Sequence, residues 1–308
     1  GSRHPKSFLV SWARRCVYGT AIALPVVMIM GGVLYELMDK VSWLPPYLIF
    51  TMLFITFTRV SAREIRIQKL HLILLAIQLL GGMSIYFMLE WLDIVVAQGM
   101  MMSVFAPSAM ASVVVAGLLG ANITTVAVFC LLSNVSVAFI SPVFFTMIGA
   151  NPDMSFWSSV IAILSKVGVL LVVPFVLSWI LEKISPRLHA TIARNQDISF
   201  WIWLACMAIV TGSTVKFIIL QPSTAYTDMV ILAVGSLVLC WLQFRLGWYF
   251  GKRNGDRVAG GQSLGQKNNV LVIWMSQTYL DPLSSIAPAL YVVWQNTINS
   301  WQLARYKK

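Results

Sequence analysis

The feature that most constrains this chain is a succession of apolar stretches, each about 20 residues long and nearly free of charge. A bilayer's hydrocarbon core is about 30 Å thick and a helix rises about 1.5 Å per residue, so one such stretch makes one crossing. Ten can be marked, at 16–37, 45–61, 70–91, 94–119, 123–148, 156–181, 198–219, 227–250, 257–279 and 282–304. Asn151-Pro152-Asp153, Ser185-Pro186-Arg187 and Gln221-Pro222-Ser223 supply turn chemistry between them. Of the 308 residues, 58% are hydrophobic and 11% charged. Soluble domains carry about 25% charged residues, so a water-soluble globule is excluded. The expectation is an all-α integral membrane protein with ten transmembrane helices. The leading Gly1-Ser2 reads as a protease-cleavage scar and carries no weight.

The net charge of +11 would suit a nucleic-acid binder, but its placement says otherwise. With ten spans both termini share one side of the membrane. On that side fall Arg3, Lys6, Arg14, Arg15, Arg59, Arg63, Arg66 and Lys69. Lys183, Arg187, Arg194, Arg245, Lys252, Arg253, Arg257, Arg305, Lys307 and Lys308 join them, making eighteen of the 22 basic residues. Only Lys40 and Lys216 fall opposite, while Lys166 and Lys267 lie inside spans. Basic loops face the cytoplasm, so both termini are expected there, with the lipid bilayer and not nucleic acid as partner; the expected setting is a bacterial inner membrane. The four cysteines (Cys16, Cys130, Cys206, Cys240) lie in apolar stretches without metal-ligand spacing.

The spans divide five and five at Asn151-Pro152-Asp153, and an odd number per half inverts the second half relative to the first. In each half the fourth span is interrupted. Span four breaks at Phe105-Ala106-Pro107-Ser108-Ala109, where Pro107 removes a backbone donor. Span nine is expected to break over the glycine-rich polar run from Gly260 to Asn269. Non-helical backbone at membrane depth survives only inside protein or beside a cavity. Interrupted spans at matching positions of inverted halves point to a secondary-transporter binding site.

Three stretches then carry a family likeness. Ala106-Pro107-Ser108-Ala109-Met110-Ala111-Ser112, Ser263-Leu264-Gly265-Gln266-Lys267-Asn268 and Tyr291-Val292-Val293-Trp294-Gln295-Asn296 resemble the fourth, ninth and tenth helices of the bile acid:sodium symporter family. The resemblance implies a panel domain (16–61 and 156–219) and a core domain (70–148 and 227–304). Helices 4 and 9 would cross in the core beside a cavity facing the panel. It further implies transport of an organic anion, bile acid-like or a small carboxylate, by alternating access.

Against the family's two sodium sites the sequence departs. The ligand positions fall on Ser112, Val113, Val126, Cys130, Ser263 and Lys267, with Gln78 alone retained. Valine offers no side-chain oxygen and a thiol is a soft ligand for a hard cation. Sodium coupling is therefore expected to be weakened or replaced, with ordinary sodium symport or a passive facilitator or channel as alternatives. No other cofactor is implied. Lys267 falls near the midplane, where a lysine is costly. Its ammonium has several roles open to it: to fill the lost sodium's place, to meet a substrate carboxylate, to couple transport to protons, or to reach an interface by snorkelling. Lys166 falls nearer the outer end of its span, where snorkelling or a structural contact is expected.

The half-helices starting near Ser108 and Asn268 are candidate anion cradles. Met110 replaces a polar residue of the family cavity, and Gln295 and Asn296 are placed either to contact substrate or to pack between helices. Gly261-Gln262-Ser263-Leu264-Gly265 matches a nucleophile elbow, but that motif needs a strand–turn–helix with a partnering histidine and acid. The histidines, His4, His71 and His189, all lie near cytoplasmic ends. The chain is not expected to be an enzyme.

Overall fold

The computed structural model describes residues 26–58, 66–109, 111–148, 156–165, 169–195, 197–220 and 226–306. Residues 16–25 of the first expected span, Met110, Lys166, Arg59, Arg63, the turns at 151–153 and 221–223, and both chain ends lie outside them. Among the described residues the regular structure is helical. After helical residues 26–33 come α1 (Tyr35–Lys40), α2 (Pro45–Phe57), α3 (Lys69–Leu89), α4 (Ile94–Phe105) and α5 (Ala111–Leu118). Then follow α6 (Ile123–Ile148), α7 (Phe156–Ile163), α8 (Val169–Ile184), α9 (Pro186–Arg194) and α10 (Asp197–Ile219). The chain closes with α11 (Tyr226–Arg253), α12 (Arg257–Gly265), α13 (Asn269–Tyr279), a 3-10 turn (Pro282–Ser285) and α14 (Ile286–Tyr306).

Helices α3, α6 and α11 are long and apolar enough to cross a membrane. Burial points the same way, because the usual order is reversed along them. On α3 Gln78 is buried while Leu72, Leu80 and Phe87 are exposed. On α11 Gln243 is buried while Val230, Val234 and Trp241 are exposed. In water this arrangement would be unstable, whereas in lipid the apolar faces are solvated and the polar groups must find partners inside. Arg253 stacks over Tyr249 and Arg305 over Trp301, each at 4.4 Å, giving the ends of α11 and α14 the aromatic and basic character of a membrane–water boundary. The chain is an all-helical membrane protein.

Polar side chains fix where helices begin. The Asp93 carboxylate accepts from Val96 N at 2.7 Å to start α4. Asp256 accepts from Ala259 N at 2.8 Å to start α12, and its second oxygen accepts from Asn122 N at 2.7 Å, tying α12 to the start of α6. Asp281 accepts from Leu283 N at 2.9 Å and opens the turn before α14.

Helices α1, α2, α8 and α10 pack among themselves; α3, α4, α11, α12 and α14 form a second group with α5 and α6. Helix α13 touches both, through α10 and α2 on one side and α4 and α14 on the other. Among the described residues the most extensive pairing is α11 on α12, and glycine makes it possible. A Cβ on Gly260 would lie 2.3 Å from Gly247 O, and one on Gly247 would lie 2.4 Å from Gly260 O. Gly261 faces the Trp248 ring and Gly265 the Phe244 ring just as tightly.

This seam corrects one expectation. The run from Gly260 to Asn269 is not broken throughout. Helix α12 continues to Gly265, and only Gln266, Lys267 and Asn268 leave the helix. The glycines of that run serve interhelical approach, a role of small residues in membrane helices. The nucleophile-elbow match thus lies wholly in helix, without the strand and turn such an elbow needs.

Candidate functional site: a crossover of two broken helices

Pro107 stops α4 at Phe105, and α5 resumes at Ala111. Residues 106–109 lie outside the helix, as do residues 266–268 between α12 and α13. The two segments meet antiparallel, with Ser108 bridged to Lys267. Asn268 N donates to Pro107 O at 2.8 Å, and Ala109 N donates to Gln266 O at 3.1 Å. Each break therefore satisfies backbone groups that the other exposes.

An interrupted helix leaves carbonyls without intrahelical donors, and three at the end of α4 are capped by side chains from three different elements. Ser103 O accepts from Gln243 Nε2 at 3.1 Å, Val104 O from Lys267 Nζ at 3.0 Å, and Phe105 O from Gln78 Nε2 at 3.1 Å. The ammonium thus sits at the negative end of the α4 dipole. Lys267 is 1% exposed and ranks among the largest fully buried side chains, so it does not snorkel. Among the described residues the one ion pair is Lys216–Asp39, so Lys267's charge is met by backbone carbonyl and helix dipole.

The other expected site residues fall into place around this centre. Ser108 N donates to Ser133 Oγ at 3.0 Å, and Ser133 Oγ donates to Gln78 Oε1 at 2.8 Å. The Cys130 thiol donates to Ser108 Oγ at 3.2 Å and contacts Ser112 Oγ at 3.3 Å. Asn134 Nδ2 donates to Ser108 O at 3.1 Å. Gln295 Oε1 accepts from Lys267 N at 2.9 Å, bracing the second break, while Asn296 Nδ2 turns back to Val292 O at 2.8 Å. Both amides thus bond to backbone in this structure. At the expected anion cradles, Ser108 N donates to Ser133 Oγ of α6 and Asn268 N to Pro107 O of the facing segment. Met110 lies outside the described residues.

Whether these residues suit sodium can be tested on their chemistry. Val126, Cys130, Ala116 and Ala259 form a buried apolar cluster with Val113 packed against it. These positions do not fit a hard cation that needs several oxygens. Ser263 presents a buried hydroxyl without a hydrogen-bond partner among the described residues. Gln78 spends both its amide oxygen and nitrogen on Ser133 and Phe105.

Four residues at this centre have no role assigned by the motifs: Gln243 and Asn134, which lie outside them, Tyr291, which opens the tenth-helix motif, and Asn269, which closes the polar run. Tyr291 OH accepts from Gln243 Nε2 at 2.9 Å and donates to Gly265 O at 3.0 Å, capping α12 as Gln243 caps α4. Asn269 opens α13, is 2% exposed, and has no partner at either amide atom among the described residues. A buried amide with both ends unspent is rare in native proteins, which makes Asn269 a ligand-contact candidate beside Asn268. A lone polar residue inside a predicted span was the available signal.

A scan against protein-family models finds none that matches this chain, and a search of the curated proteins finds no match either. The functional reading rests on the residues themselves.

Proposed function

We propose that this chain is a secondary transporter of an organic anion, bile acid-like or a small carboxylate, working by alternating access. In this reading its spans form two inverted five-helix halves, with a panel (16–61 and 156–219) rocking against a core (70–148 and 227–304). Half-helix ends and unwound carbonyls hold coupling cations in transporters of this type. Here the side chain of Lys267 takes that position, with Nζ on Val104 O.

The observation that carries the reading is the hydrogen bond from buried Lys267 Nζ to Val104 O, at a crossover whose expected sodium positions are filled by Val113, Val126 and Cys130. The two-group packing of the helices, with α13 between the groups, supports the panel and core division. A tethered ammonium supplies the charge of the ion without leaving the protein, so in this reading transport does not require sodium.

The test is counterflow of radiolabelled taurocholate, pantoate and pyruvate in proteoliposomes, in sodium and in choline. Saturable counterflow of at least one anion, equal in both salts and abolished in Lys267→Met, is expected. Uptake that requires sodium would restore ordinary symport, and conductance without saturation would make the protein a channel.

A further inference from the structure

Away from the crossover, the seam between α10 and α13 has a cavity on each side. The first, about 300 Å³, is lined by Lys216, Asp39, Ser42, Ser213, Gln277 and Trp274, among others. The second, about 150 Å³, is almost wholly apolar, with Met28, Met207, Ile273 and Leu290 in its wall. Neighbouring residues of one helix face the two spaces: Ser213 and Lys216 the first, Thr214 and Val215 the second. Between the two linings Gln277 Nε2 donates to Thr214 Oγ1 at 3.4 Å and to Ser285 Oγ at 3.5 Å. These are long bonds and give way readily.

The polar space holds a cation with a replaceable partner. Lys216 and Asp39 form an ion pair, and their side chains are 36% and 38% exposed. An exposed pair of this kind contributes about 0–1 kcal/mol, so a carboxylate arriving from water can take Asp39's place at little cost. Chain topology puts this pair at the end of α10 that leads into the start of α11, opposite the Arg253 end.

We infer that the paired cavities form an outer binding site for an amphipathic monocarboxylate. Its carboxylate takes the Lys216 ammonium from Asp39, and its apolar body lies along Trp274. It then crosses onto Met207 and Ile273 when Gln277 releases Thr214. The site rests on the organic-anion reading above, but it does not involve Lys267 and can fail separately. Small-ligand pockets commonly combine an apolar body with one or two placed polar groups, and this seam has both at a position where the two helix groups meet.

The experiment measures equilibrium binding of 4-phenylbutyrate, with 4-phenylbutanol as its neutral counterpart, to the full chain in nanodiscs. The parent is expected to bind the acid saturably at millimolar concentration or below, and the alcohol at least about tenfold more weakly, since a charged hydrogen bond is lost. Lys216→Gln should weaken binding of the acid to the level of the alcohol, and Lys216→Arg should retain it. Asp39→Asn should tighten it, because the competing carboxylate is gone. The opposed signs are decisive: if Asp39→Asn and Lys216→Gln weaken binding alike, the pair is only a brace and the site is refuted. Equal binding of acid and alcohol, or no saturable binding by the parent, refutes it too. Counterflow in Lys216→Gln with unchanged half-saturation overturns this site and leaves the transporter reading standing. Binding with these signs but no counterflow of any anion supports the site and overturns the transporter reading.

Discussion

Adding one methyl group at Gly260 tests the packing that sets the second break. An alanine Cβ there would lie 2.3 Å from Gly247 O, 2.6 Å from Gly251 Cα and 2.9 Å from Gly251 N. All three are backbone atoms, so no side chain can swing aside. Restoring ordinary contact requires α11 and α12 to part by about 1 Å. Overpacking of this kind typically costs about 1–3 kcal/mol, here at the upper end because backbone must move. Alanine's better helix propensity returns about 1 kcal/mol, leaving a net loss of about 2 kcal/mol. Gly81→Ala on α3 makes the same chemical change where the nearest atom, Val104 Cγ1, is 3.8 Å away. There only the entropic gain remains, so the variant should be about 0.5–1 kcal/mol more stable. Unfolding by sodium dodecyl sulfate in mixed micelles, followed by tryptophan fluorescence, reads both midpoints against the parent. A Gly260→Ala protein as stable as the parent would refute the packing argument. So would loss of stability in Gly81→Ala equal to that in Gly260→Ala.

Three other outcomes follow from the crossover. Lys267→Met leaves Val104 O buried without its donor and should lower stability in the same assay by about 2 kcal/mol, whereas Lys267→Gln keeps a donor and should stay within about 1 kcal/mol of the parent. Gln243→Leu strips Ser103 O of its donor and should cost about 1–3 kcal/mol, with the unfolding midpoint as the measure. In a variant whose single cysteine is Cys130, which is 0% exposed, a membrane-impermeant maleimide should label the folded protein far more slowly than the unfolded chain; equal rates would place the thiol on a water path.

What the sequence displays and what it hides divide along physical lines. Pro107 announces the first break because it lacks an N–H wherever it stands, and the observed helix ends two residues before it. Gly260, Gly261 and Gly265 are ambiguous in sequence, since glycine both weakens a helix and lets another approach. Their meaning depends on Gly247, Gly251, Phe244 and Trp248, on a different helix. Lys267 is conspicuous as a charge inside a span, yet its partner is the backbone of Val104, which no residue type can signal. Gln295 invited a role at the substrate because amides bond to ligands, but an amide also mimics backbone, and here it pairs with the backbone of Lys267. Asn269 illustrates the converse: its importance lies in bonds it does not make.

The shared backbone pairing of the two breaks bears on how the chain can be assembled. Gln78 comes from the N-terminal half, but Gln243 and Lys267, which cap Ser103 O and Val104 O, come from helices synthesised more than a hundred residues later. Without those segments the end of α4 carries two carbonyls lacking their side-chain donors, and an unpaired carbonyl in hydrocarbon costs several kcal/mol. The N-terminal part of the chain is therefore expected to enter the bilayer incomplete. Assembly is then expected to be a templating event, in which the late-arriving segment around Lys267 docks the early one and is docked by it. A ribosome-stalled or split N-terminal half should be short-lived in the cell, and co-expression of the missing half should rescue it.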